Sequence, residues 1–147
     1  MTYEEAVLSI PAGRYRHFKG KDYEVLCIAR HSEDGSPLVI YRALYGDGGI
    51  WARPAEMWNE IVDRDGGASR RFCPLERIER VEQYERIFEA ALARPDPEKL
   101  RLLEAYYTGG QWREDYEADE RGELPPTLKR GVLSQDALYD LLSGLEP

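Results

Sequence analysis

The residues best suited to recognition chemistry are Tyr15, His17, Tyr41, Trp51, Arg53 and Arg71, all in the first half of the chain. They lie on segments that read as β-strands, where residues two apart share a face. Tyr15 would then project with His17, and Trp51 with Arg53. Aromatic walls beside a guanidinium can stack a base, hold an anion or cage a cation. Lys19, Tyr23, Arg42, Tyr45 and Trp58 stand in the same stretch. The competing packing role makes Trp51, Trp58 and Tyr41 core aromatics and places Arg53 in a structural ion pair.

Catalytic constellations are harder to assemble, and no catalytic residue is assigned. His17 has the chemistry of a general base, but no sequence feature sets a nucleophile beside it. Ser9, Ser32, Ser36 and Ser69 fall in turns or edges, outside any Gly-x-Ser-x-Gly elbow. Gly46-Asp47-Gly48-Gly49 lacks the Gly-Lys-Ser/Thr ending of a phosphate loop and precedes a strand, so it reads as a hairpin turn. The acidic run from Glu114 to Glu123 fails as a calcium loop: counting from Asp115, the positions that need Gly and Glu hold Glu120 and Pro126. A solvated acidic face, with some acids pairing to Lys129 and Arg130, is expected there. Two histidines and two cysteines form no close cluster, so neither a metal nor another cofactor is expected. Cys27, in an apolar run, reads as a buried thiol, and Cys73 neighbours Arg70 and Arg71, which favour a thiolate.

The elements that must position these groups divide near Pro74. In residues 1–74, Thr2 to Ser9 reads as a short helix, followed by strands at Gly13–Phe18, Tyr23–Arg30, Leu38–Tyr45 and Ile50–Arg53. Gly- and Asp-bearing turns separate them. A helix over Pro54–Val62 would turn Met57, Trp58 and Ile61 inward, and Arg71-Phe72-Cys73 would close the sheet. Short antiparallel strands with one short helix predict a small SH3-like β-barrel. Residues 75–147 read as a three-helix module. One stripe runs through Leu75, Ile78, Val81, Tyr84, Phe88 and Ala91; a second helix starts at Asp96-Pro97-Glu98 and stops at Gly109-Gly110. A third is capped by Ser134 and presents Ala137, Leu138, Leu141 and Leu142. Gln111 to Pro126 reads as acidic and less regular. The fold class is thus α+β.

The first module resembles the bacterial family called domain of unknown function 1653. The resemblance rests on Gly13-Arg-Tyr15-Arg-His17-Phe-Lys19-Gly20, Tyr23-Glu-Val25, Val39-Ile-Tyr41, Trp51-Ala-Arg53-Pro54, Met57-Trp58 and the terminal Arg71-Phe72. The second module is similar to domain of unknown function 4298, through Tyr106-Tyr107, Trp112, Asp115-Tyr116, Leu124-Pro125 and the segments Leu128–Ser134 and Asp136–Leu142. Neither resemblance implies an activity.

The chain has 147 residues and a formal net charge of -8. Residues 1–75 carry 11 acids against 10 bases, and residues 76–147 carry 17 against 10. Excess acid repels phosphate backbones and anionic membranes, so nucleic acid is a disfavoured partner and the charge argument applies mainly to the second module. The opening Met-Thr-Tyr-Glu-Glu lacks the basic and apolar regions of a secretory signal, and no apolar run approaches the roughly 20 residues of a spanning helix. A cytoplasmic, non-membrane protein is expected. The expected function is non-catalytic binding of a small molecule or peptide by the barrel, with a protein partner on the acidic helical module. The alternatives are a small hydrolase or transferase using His17 and Arg53, and a nucleic-acid-binding barrel.

Overall fold

Thr2 opens the first helix because its hydroxyl accepts the Glu5 amide while the Glu5 carboxylate accepts the Thr2 amide, a reciprocal capping box. The computed structural model describes residues 1–64 and 67–144, in two compact units. The first unit comprises Met1–Glu76 together with Gly122–Pro126. Its elements in chain order are α1 (Tyr3–Ser9), β1 (Gly13–His17), β2 (Asp22–Arg30), β3 (Pro37–Ala43), β4 (Ile50–Pro54), α2 (Ala55–Trp58), β5 (Ile61–Arg64), β6 (Gly67–Arg70) and β7 (Phe72–Pro74).

Five strands form one antiparallel sheet in the order β4-β3-β2-β1-β7, and β5 pairs with β6 in a separate two-stranded sheet. The large sheet is open and not the barrel expected from sequence. Its two edges are a three-residue strand, β7, and β4, which ends at Pro54, a residue without an amide to donate. The sheet still curls enough for Arg53 on β4 to lie 5.6 Å from the Phe72 ring on β7.

Two local expectations are corrected here. The helix expected over Pro54–Val62 lasts only from Ala55 to Trp58, and Ile61 and Val62 pair instead with Arg70 and Ser69. β-Branched side chains favour that strand pairing. Trp58 is fully buried, whereas Met57 and Ile61 remain 43% and 52% exposed. Cys27 is exposed and Cys73 is the buried cysteine. A β-bulge between Val25 and Cys27 shifts the register, so the face that Val25 occupies passes to Ile28, which packs on the core.

The stretch Gly122–Pro126 folds with the first unit. The Gly122 carbonyl accepts the Arg70 amide at 2.7 Å, and Glu123 pairs with Arg70 at 3.1 Å.

The second unit runs over Arg77–Arg121 and from Thr127 on. Among the described residues it contains most of α3 (Leu75–Ala93), then α4 (Pro97–Thr108), α5 (Gln111–Glu120), a 3₁₀ turn (Gly131–Leu133) and α6 (Gln135–Ser143). Four α-helices thus replace the expected three. The Asp96 side chain accepts the Glu98 and Lys99 amides to start α4, and Ser134 caps α6 through the Ala137 amide. The added helix, α5, follows Gly110, whose φ of +94° suits glycine. Its inward residues are Trp112, Asp115 and Ala118, so the acidic stretch is not uniformly solvated.

Asp115 is 0% exposed. Both its oxygens engage Arg80, Tyr106 donates to Oδ2 at 2.6 Å, and the Arg77 Nε lies 3.5 Å from Oδ1. Glu85 is also buried and accepts the Val132 amide at 2.7 Å. Elsewhere on the acidic stretch, Asp119 pairs with Arg130, while Lys129 sits near Glu89. Among the described residues no helix is long and apolar enough to cross a membrane.

Candidate functional site

Directly opposed residues in an antiparallel pair share a face, so the register assembles the site. His17 opposes Phe72, Tyr15 opposes Tyr23, Val25 opposes Tyr41, Tyr41 opposes Trp51, and Val39 opposes Arg53. This places Tyr15, His17, Tyr23, Tyr41, Trp51, Arg53 and Phe72 on one face. Its deeper part is the core of the first unit, where Trp58 from α2 stacks on Phe72 at 3.6 Å with ring planes 2° apart. Tyr41 and Tyr15 meet the same indole edge-on at 5.0 and 5.4 Å. The Trp58 Nε1 is buried without a hydrogen-bond partner.

Above this floor the cluster becomes polar. The Arg53 guanidinium lies over the Phe72 ring, and its Nε is 3.5 Å from the Tyr41 hydroxyl. No carboxylate lies within ion-pair distance of Arg53 among the described residues. His17 packs edge-on to Phe72 at 4.9 Å, and its Nδ1 accepts the Lys19 amide at 3.1 Å. Tyr23 contacts Phe72 and Tyr41, and shares a 2.7 Å hydrogen bond with the Tyr45 hydroxyl. Burial first, and the Tyr45 contact second, push the Tyr23 phenol up to about 12; the nearby Arg53 charge acts in the opposite direction. Further cations stand over rim rings: Lys21 over Tyr45 at 4.8 Å, and Lys19 and Arg71 over Phe18 at 5.8 and 5.7 Å.

The six residues singled out from sequence are not equivalent. Tyr41 and Arg53 touch each other, and His17 shares the Phe72 ring with Arg53. Tyr15 is 6% exposed and donates its hydroxyl to the Pro11 carbonyl at 2.7 Å, so it is part of the floor. Trp51 is 61% exposed on the edge strand. Arg71 sits at the rim with its Nη2 on Glu60 at 2.9 Å. Phe72, the ring beneath Arg53, stands in the closing strand and in the terminal Arg71-Phe72 pair of the family resemblance, but is not among the six. Only the β1–β7 register brings it into the cluster.

The side chains of this cluster all fall between Gly13 and Pro74. Residues 13–74 match the family described as protein of unknown function (DUF1653). Residues 77–146 match a second family, domain of unknown function (DUF4298). A crystal structure of a DUF1653 protein from Bordetella bronchiseptica is similar at 37% identity, covering 45% of this chain and 87% of that one, with a TM-score of 0.42. No curated protein matches the chain. The site described above therefore lies wholly in the DUF1653 portion.

Proposed function

We propose that the DUF1653 portion is a non-catalytic recognition module that captures an anionic group of a small molecule or peptide through Arg53. The observation that supports this is a half-buried guanidinium set among aromatic rings with no carboxylate partner among the described residues. Withdrawing such a charge from water is costly unless it is paired, and a single tyrosine hydroxyl compensates only in part. A carboxylate or phosphate on the ligand would complete the planar fork. Tyr41 and His17 supply further polar contacts, and Trp51 an apolar wall. Lys19 and Lys21 add local positive potential to a half of the chain whose formal charge is close to neutral.

Calorimetry and thermal shift would test this with nucleoside monophosphates, small dicarboxylates and short acidic peptides, comparing wild type with Arg53→Gln. A charge-assisted hydrogen bond contributes about 1.5–3 kcal/mol, so at least one ligand class should bind roughly 10–100-fold more weakly to the variant. Binding that is unchanged by Arg53→Gln, or absent throughout the panel, would refute the proposal.

A further inference from the structure

The strand that carries Arg53 also has an unpaired edge, and that edge specifies the shape of ligand. In the sheet order, β4 has β3 on one side and, among the described residues, no strand on the other. The Ala43 amide donates to the Gly49 carbonyl at 3.0 Å, which makes Ala43 and Gly49 a hydrogen-bonded pair. Hydrogen-bonded pairs recur every second residue along an antiparallel ladder. Tyr41–Trp51 and Val39–Arg53 are therefore also hydrogen-bonded, and the amides and carbonyls of Ile50 and Ala52 point away from β3. Ile50 and Trp51 are 57% and 61% exposed beside this edge. Edges of this kind are templates for an added strand.

We infer that the ligand is an extended acidic peptide segment that adds antiparallel to β4. This rests on Arg53 being the anion site. The peptide backbone pairs with Ile50 and Ala52, and its side chains opposite Trp51 and Arg53 fall on the same face as those two residues. Because the added strand runs opposite to β4, it meets Arg53 first and Trp51 two residues later. The pattern recognised is an acidic residue, any residue, then an apolar residue. Arg53, which has no carboxylate partner among the described residues, takes the acid, and the exposed Trp51 indole covers the apolar side chain. The occupant is a peptide and not a compact anion because the amides and carbonyls of Ile50 and Ala52, on the strand that carries the guanidinium, point outward in the spacing that an added strand pairs with.

The probe is acetyl-Thr-Glu-Thr-Val-Thr-amide, whose capped ends leave the glutamate as its only charge. Calorimetry should show binding that weakens about fivefold to tenfold when the peptide amides facing β4 are N-methylated, and similarly with Ala52→Pro, each removing a ladder hydrogen bond. Replacing the glutamate with glutamine, or Arg53 with Gln, should weaken it about 10-fold or more. N-methylation leaves the protein untouched, so a folding defect in Ala52→Pro cannot mimic the result. If small carboxylates bind in an Arg53-dependent way but the peptide gains nothing over them, the strand-addition inference fails and the anion site stands. If no probe depends on Arg53, both fail. Tighter binding of the reversed peptide Thr-Val-Thr-Glu-Thr overturns the antiparallel assignment. A dimer in sedimentation that Ala52→Pro dissociates shows that the edge serves a second copy of the chain, and this too overturns the inference.

Discussion

Replacing Asp115 with alanine should be among the most damaging single substitutions in the second unit. The carboxylate is fully buried and is shared by Arg80, Arg77 and the Tyr106 hydroxyl. Removing one side of a buried ion pair costs about 3–5 kcal/mol, because the remaining charge is left uncompensated. The Arg77 and Arg80 side chains retain 25% and 19% exposure, so part of the liberated charge rehydrates and the lower end of that range applies. The Tyr106 hydroxyl loses its acceptor as well, adding about 1 kcal/mol. A loss of about 4 kcal/mol is expected, a large fraction of the roughly 5–15 kcal/mol that a domain ordinarily has. Guanidinium chloride unfolding followed by the helical circular dichroism signal measures it, with Trp112 fluorescence reporting from the same unit. Asp115→Asn, which keeps an acceptor for Tyr106 but not the charge, should fall between alanine and wild type. A loss below about 1 kcal/mol for Asp115→Ala, or an asparagine variant equal to wild type, would refute the reading of a desolvated ionic cluster.

Other residues give sharper tests of single effects. Burial chiefly, with Glu89 adding to it, raises the Glu85 pKa above its ordinary 4.5, although the Val132 amide and Lys129 oppose the shift. The folded state therefore holds that proton more tightly than the unfolded chain, and the contribution is full below pH 4.5 and lost as pH rises through the folded value. Glu85→Gln should flatten this part of the stability-pH profile, measured by unfolding at a series of pH values; a profile parallel to wild type would contradict it. Phe72→Ala removes the ring stacked on Trp58 and should cost about 3–5 kcal/mol by chemical denaturation. Gly110→Ala meets no atom within 4 Å, so only the left-handed backbone opposes it; a loss of about 1–2 kcal/mol is expected by thermal unfolding.

The residues that were legible in the sequence are those whose role is decided within a few positions. Asp96 and Ser134 announce their helices because a cap is a contact between neighbours. Trp51 and Arg53 can be placed together because alternation along one strand is enough. The failures occur where distant pairing decides. Ile61 and Val62 fit a helical face with Trp58 as readily as a strand, and only β6 selects between them. The bulge that exposes Cys27 is a property of two strands in register, and no residue type in β2 declares it. α5 escapes notice because the middle residue of its inward stripe, Trp112–Asp115–Ala118, is an aspartate. An aspartate breaks a hydrophobic pattern, yet it can be buried where Arg80, 35 positions earlier, meets it. The same distinction governs the candidate site. The sequence offers Arg53 and its aromatic company, but what separates an anion site from a structural ion pair is the identity of the atoms around the guanidinium. Among the described residues, its contacts are the Tyr41 phenol from β3 and the Phe72 ring from β7, neither adjacent to it in sequence.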